Sequence, residues 1–299
     1  MVLDGNGHHE ALHFRQPPKR VVSLVPSLTE SLFDLGLGTS VVGITDYCIH
    51  PSDALETLPR LGGTKTPRIS DILSLKPDLV LANWEENSPE TVEALETAGL
   101  SVWVSFPKTV RESLDVLWIL VGLFHNQISA TRLNTLELTL DWAKSSVIER
   151  KPLRYFCPIW CQQVPGGSQW WMTFNRNTYC HDLLDLLGCQ NVFAERERRY
   201  PLEADLGLAM PQPPESRDTR YPRVVLSEIR STQPEVILLP SEPFSFTDAH
   251  RLELIEQLAG IPAIDHGHIY LVDGSLITWH GTRLAHALRE LPALLDSCR

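Results

Sequence analysis

The sequence predicts an α/β fold: two Rossmann-like lobes, each with a central parallel sheet, joined by a long backbone α-helix. Three observations predict it. Apolar runs short enough for strands alternate with helical stretches closed by glycine, the pattern of parallel strands with helices on their faces. The same landmarks then return in order: Gly36 matches Gly188 at an offset of 152, Pro77 matches Pro234 at 157, and Gly99 matches Gly260 at 161. Between the two sets, Leu133, Leu136, Leu140, Ala143 and Val147 recur at spacings of three and four, which lays one apolar stripe along a helix.

In chain order, residues 1–19 read as a flexible tail, polar and holding three histidines. The first lobe spans 20–108. Arg20 to Val25 is a buried strand ended by Pro26, and Ser27, with Glu30 three residues on, reads as the N-cap of a helix stopped at Gly36 or Gly38. Val41 to Ile44 is a strand, Ile69 to Leu75 a helix, Asp78 to Ala82 a strand, Glu90 to Ala98 a helix and Ser101 to Ser105 a strand. Linking helices occupy 109–152, with a break near His125, Asn126 and Gln127, and Pro152 ends them. A helix from Ser129 to Arg150 would be about 33 Å long, long enough to tie two lobes together.

The second lobe, 153–299, repeats the order. Arg154 to Ile159 is a strand, Tyr179 to Leu187 and Leu226 to Thr232 are helices, Glu235 to Leu239 is a strand, and Ala249 to Ala259 and Arg283 to Leu295 are helices.

Composition limits the function. With 37 acidic and 26 basic residues the net charge is −11, which repels a nucleic-acid backbone. The longest apolar run, Val116 to Phe124, is nine residues, short of the roughly 20 that span a bilayer. The first 19 residues lack the apolar core of a secretory signal, so a cytoplasmic protein is expected. Six cysteines form no CxxC pair and in that compartment stay reduced. Cys157 and Cys161 share a face only if their strand runs that far.

Ligands of open parallel sheets lie beyond the carboxyl ends of the strands. The first lobe offers Pro26 and Ser27, Tyr47, Trp84 and Glu85 there, and the second offers Trp160, Glu242, Phe244, Phe246, Trp279 and His280. Glu85 and Glu242 each stand eight residues after their matched prolines. Aromatic walls suit a large planar ligand bound in a cleft between the lobes; a sugar or oligopeptide could use them too, and the alternative is that the rings belong to the cores. His280 is either an axial metal ligand, a hydrogen-bond donor to the ligand, or a surface histidine. Arg176 either meets an anionic group of the ligand or is solvated.

The stretches RVVSLVPSLTESLFDLG, ISDILSLKPDLVLA with Trp84 beyond it, TYCHDLLDLLGCQNVF and IYLVDGSLITWHGTRLAHALREL resemble the substrate-binding proteins for vitamin B12 and iron chelates, the class whose lobes are joined by one backbone helix. The resemblance runs from Lys19 to about Leu295. It implies a non-enzymatic binder of a corrinoid such as cobalamin, held without covalent attachment, with Trp84 where a tryptophan stacks on the corrinoid. Haem or a ferric siderophore in the same cleft is the alternative. From another class, a chelatase-type enzyme would use Glu85, Glu242 and His280. Members that dock on a transporter permease place a glutamate seven residues before the lobe proline. Here Ser70 and Ser227 stand there, and the acids Asp71 and Glu228 come one residue later. That step turns a helical side chain by about 100°, which weighs against docking on an ABC permease.

Overall fold

A computed structural model describes residues 16–163 and 169–299. The tail expected over 1–19, with its histidines, lies almost wholly outside the described residues. The chain forms two compact units. The first comprises the residues up to Pro107 together with Arg111–Leu138 and Trp279–Ala285; the second comprises Lys108–Val110, Thr139–Thr278 and His286–Arg299.

The first unit opens with β1 (Val21–Ser23) and α1 (Pro26–Asp34). Proline occupies the first turn of α1, where its fixed φ suits a helix and its missing N–H removes no bond. The expected cap is thereby corrected: Val25, in extended conformation, is the N-cap, and Ser27 lies buried inside the first turn. Then follow β2 (Val41–Ile44), α2 (Ser52–Leu55), α3 (Ile69–Ser74), β3 (Leu79–Asn83), α4 (Pro89–Thr97) and β4 (Val102–Ser105). The sheet runs β2-β1-β3-β4, parallel throughout. Every residue of β1, β3 and β4 is buried, as a strand covered on both faces requires.

Two helices follow, α5 (Val110–Phe124) and α6 (Gln127–Val147). Between them His125 adopts a left-handed φ of 51°, and the Asn126 side chain accepts from the backbone N–H groups of Ile128 and Ser129 at 3.0 and 3.2 Å. That is an N-terminal cap, and it explains the break read at this point. Leu133, Leu136, Leu140 and Ala143 are buried. The chain passes from the first unit to the second within α6, between Leu138 and Thr139.

The second unit contains β5 (Leu153–Phe156), β6 (Trp160–Gln163), β7 (Gln169–Met172), α7 (Tyr179–Leu186), β8 (Cys189–Asn191), α8 (Leu202–Asp205), β9 (Arg223–Val225), α9 (Leu226–Thr232), β10 (Val236–Pro240), α10 (Asp248–Gln257), α11 (Pro262–Asp265), β11 (Ile269–Val272), α12 (Ser275–Thr278) and most of α13 (Leu284–Asp296). Its main sheet runs β11-β10-β5-β8, again parallel. A second sheet, β6-β7-β9, is antiparallel and was not foreseen. Its strands are three or four residues long, too short for an alternating pattern to stand out. Its inner face, Trp171 and Val224, joins a core with Phe156, Ile237 and Leu239, against which Cys161 packs.

Candidate ligand-binding site

In the first unit the parallel register sets Ser23 beside Leu81 and Asn83 beside Ser105, so the strands end together and their loops leave from one edge. Asn83 organises that edge. Its Oδ1 accepts from the Glu85 N–H at 2.8 Å, its own N–H is bound by Asn87 Oδ1 at 2.8 Å, and Trp84 N–H donates to the Ser105 carbonyl at 3.0 Å. The backbone at Trp84 is therefore fixed while its indole stays 50% exposed, 6.4 Å from the Phe106 ring. Tyr47, in the turn after β2, is 63% exposed.

His280 belongs to this unit rather than to the loops of the second lobe. It is buried, and its Nε2 lies 3.4 Å from both Ser27 Oγ and Asn83 Nδ2. Because Asn83 Oδ1 already serves Glu85, the amide group facing His280 is the NH2, which only donates; Nε2 is then the acceptor, and the ring proton sits on Nδ1. Burial pushes the histidine down to about 4. The axial-ligand expectation for His280 is thus corrected: the ring is neutral, internal and turned toward Ser27 and Asn83.

Trp279 is corrected in the same way. It is buried, edge-on to His50 at 5.8 Å, with the Arg283 guanidinium 5.3 Å from its ring centroid. Arg283 in turn faces Glu30 at 3.1 Å, both nearly inaccessible. The segment is locked to α1 and α5: Gly281 N–H donates to Ser113 Oγ at 2.7 Å, and Thr282 N–H to Ser31 Oγ at 3.1 Å. Gly281 has φ of +89°, and a Cβ there would lie 2.4 Å from Ser31 Oγ, so no larger residue fits. Pro26 and Ser27, expected to line a loop, are buried as well.

In the second unit Trp160 is the first residue of β6, 41% exposed, and its ring meets Phe244 edge-on at 5.5 Å. Phe246, expected beside them, is a core residue at 4% exposure, and its ring supports Phe244 at 4.8 Å. Glu242 Oε1 accepts from Thr278 Oγ1 at 3.0 Å. A Cβ on Gly274 would come within 2.8 Å of the Glu242 backbone, so the glycine is what admits this turn. Arg176 is exposed and pairs with Glu195. Of the two acids weighed for docking, Asp71 is exposed and held by Arg68 at 2.6 Å, while Glu228 is bound by Arg196 at 2.7 Å.

All six cysteines are free, and Cys157 and Cys161 stand on different strands' ends rather than along one strand. Among the described residues, no group of three or more histidines, cysteines or acids could hold a metal ion, and no helix is long and apolar enough to cross a membrane.

Residues 21–276 match the family described as periplasmic binding protein. The vitamin B12-binding protein of Vibrio cholerae serotype O1 is 28% identical over 62% of this chain and 64% of its own length, so the match spans less than two thirds of that relative. An uncharacterised ABC transporter substrate-binding lipoprotein of Bacillus subtilis, YvrC, is 23% identical over 97% of this chain and 84% of the relative. The crystal structure of the periplasmic vitamin B12-binding protein BtuF of Vibrio cholerae superposes with a TM-score of 0.71 at 22% identity, covering 94% of this chain and 98% of that one. That likeness shows the two-lobed α/β fold. The expectation of a cytoplasmic protein is overturned by these findings, since the family is periplasmic and one relative is a lipoprotein.

Proposed function

Since the chain belongs to the periplasmic binding protein family, we propose that it binds a flat metal chelate, a corrinoid such as cobalamin, by non-covalent stacking on an exposed indole, offered in the first unit by Trp84 and in the second by Trp160. One observation carries this reading. Each indole is half bare although the backbone beneath it is fixed, at Trp84 by the Asn83 hydrogen bonds and at Trp160 by pairing with Met172. Large rings held ready in this way gain contact area at little entropic cost when a planar ligand stacks on them. Phe106 beside Trp84 and Phe244 beside Trp160 extend each surface. The name of the Vibrio cholerae relative supports the corrinoid over other chelates.

The ligand leaves unchanged. The relatives carry the names of binding proteins, which answers the chelatase-type alternative. Purified chain mixed with cyanocobalamin should retain the vitamin stoichiometrically and shift its visible spectrum; a vitamin that dialyses away completely refutes the proposal. A second reading, a ferric chelate such as haem, is favoured by Tyr47, whose exposed phenol is an oxygen donor suited to ferric iron. Titration with ferric haem decides between them, because a Tyr47 phenolate on iron would give a charge-transfer band that Tyr47→Phe abolishes. The lipoprotein relative's name supports a transporter as the partner, with Asp71 as the exposed acid; Glu228 is engaged by Arg196.

A further inference from the structure

The buried stripe of α6 has a counterpart on the other side of the same helix. Ile128, Thr131, Thr135, Leu138, Trp142 and Ser145 follow one another at spacings of three and four, so they too share one face, and none of them is charged. The large members stand in solvent: Ile128 is 66% exposed, Leu138 70% and Trp142 72%. An outward helix face is ordinarily the charged one, and here it carries no charge over about five turns.

The small members are already satisfied. Thr131 Oγ1 donates to the Gln127 carbonyl at 3.2 Å, Thr135 Oγ1 to that of Thr131 at 3.1 Å, and Ser145 Oγ to that of Asp141 at 2.8 Å. With each hydroxyl turned back on its own helix, covering the face strands none of them without an acceptor.

Large and small residues alternate so that the face fits itself. Two copies of α6 laid antiparallel, with a twofold axis level with the step from Leu136 to Glu137, set Ile128 against the second copy's Ser145, Thr131 against its Trp142 and Thr135 against its Leu138. Every layer then joins a large side chain to a small one, the condition for interdigitation. That axis falls at the middle of α6 (Gln127–Val147), so the whole helix takes part. At the edges of the seam Arg132 comes beside the second copy's Thr139 and Asp141 beside its Asn134, so no like charges oppose. A strip about 32 Å long, covering about 15 Å of each helix's girth, closes on the order of 500 Å² per copy and 1,000 Å² together, the threshold of a specific interface.

We propose that this face of α6 is a homodimer contact, an antiparallel helix pair in which a second copy of the chain covers Leu138 and Trp142. The contact is isologous, each copy giving the same patch, and it does not depend on which ligand the protein binds.

Sedimentation velocity on the full chain between about 1 and 100 µM tests it, and the wild type should pass from monomer to dimer within that range. Thr131→Glu and Trp142→Lys each place a charge in two of the layers and should raise the dissociation constant about tenfold or more. Mixed in equal amounts the two variants should dimerise within about threefold of the wild type. Only in the antiparallel register does the introduced glutamate of one face the introduced lysine of the other, while the remaining Thr131 and Trp142 rebuild a native layer. Both positions lie on the surface, and Thr131→Glu keeps the test open should Trp142→Lys fail to fold. The proposal is overturned if the wild type stays monomeric to about 100 µM, if the single variants dimerise as it does, or if the mixture recovers nothing.

Discussion

Replacing His280 by glutamine should remove a defined part of the protein's acid sensitivity. In the folded chain burial lowers this histidine from an ordinary 6.5 to about 4. As pH falls through 6.5 the unfolded chain takes up a proton there, whereas the folded chain resists until about 4. The stabilising contribution is therefore complete above pH 6.5, is lost across that window, and is gone below about 4. A separation of about 2.5 pH units at about 1.4 kcal/mol each sets its ceiling at about 3.5 kcal/mol, of which about 2 kcal/mol is already lost at pH 5. Glutamine keeps a side-chain oxygen that can accept from Asn83 but carries no titrating group. Urea unfolding at pH 7.5 and at pH 5, followed by tryptophan fluorescence, gives the two differences. Other titrating groups cancel when the wild type is compared with the variant. The wild type should lose about 2 kcal/mol more than His280→Gln over this interval. Equal losses would refute the picture of a neutral histidine enclosed by Ser27 and Asn83, and would reopen a charged or solvent-facing role.

Three further substitutions test the assignments. Trp84→Ala should weaken chelate binding by about 1–3 kcal/mol in a spectral titration while hardly altering the melting temperature, because half the ring is already in water; Phe246→Ala should do the reverse, costing about 3–5 kcal/mol of stability as a core truncation. Gly274→Ala forces a Cβ against the Glu242 backbone and should destabilise the second unit by about 1–3 kcal/mol in thermal unfolding; a neutral result would mean that the turn relaxes freely. Asp205→Asn leaves Arg196 and Arg223 facing an uncharged amide in a buried position and should cost about 3–5 kcal/mol, measured by urea denaturation.

The fold was legible because its signals are local. Prolines before strands, glycines after helices and the three-four stripe on α6 each report a conformation that the residue itself enforces. Ser27 failed as a cap for an equally local reason: Pro26 at the first helical position starts the helix one residue earlier. What the sequence could not separate was the exposed aromatic from the buried one. Trp84 follows β3 directly and Trp279 follows the short helix α12 beyond β11, and nothing in the neighbouring residues tells the exposed ring from the buried one. The difference is made by partners far away in the chain. Trp279 is covered by His50 and Arg283, and its segment is held by Ser31 and Ser113, whereas Trp84, half exposed, has the tilted ring of Phe106 beside it at 6.4 Å. The one hint was Gly281, since a glycine between a histidine and a threonine is what a close backbone approach demands. That approach returns the chain to the first unit and brings His280 under Asn83. His280 and Trp84 therefore act at one remove from each other: the histidine's acceptor nitrogen holds the Asn83 amide, the same amide's oxygen holds the Glu85 N–H, and the peptide between them carries the indole. A residue that sequence offers as an axial metal ligand is better understood as an internal support beneath the exposed Trp84 indole.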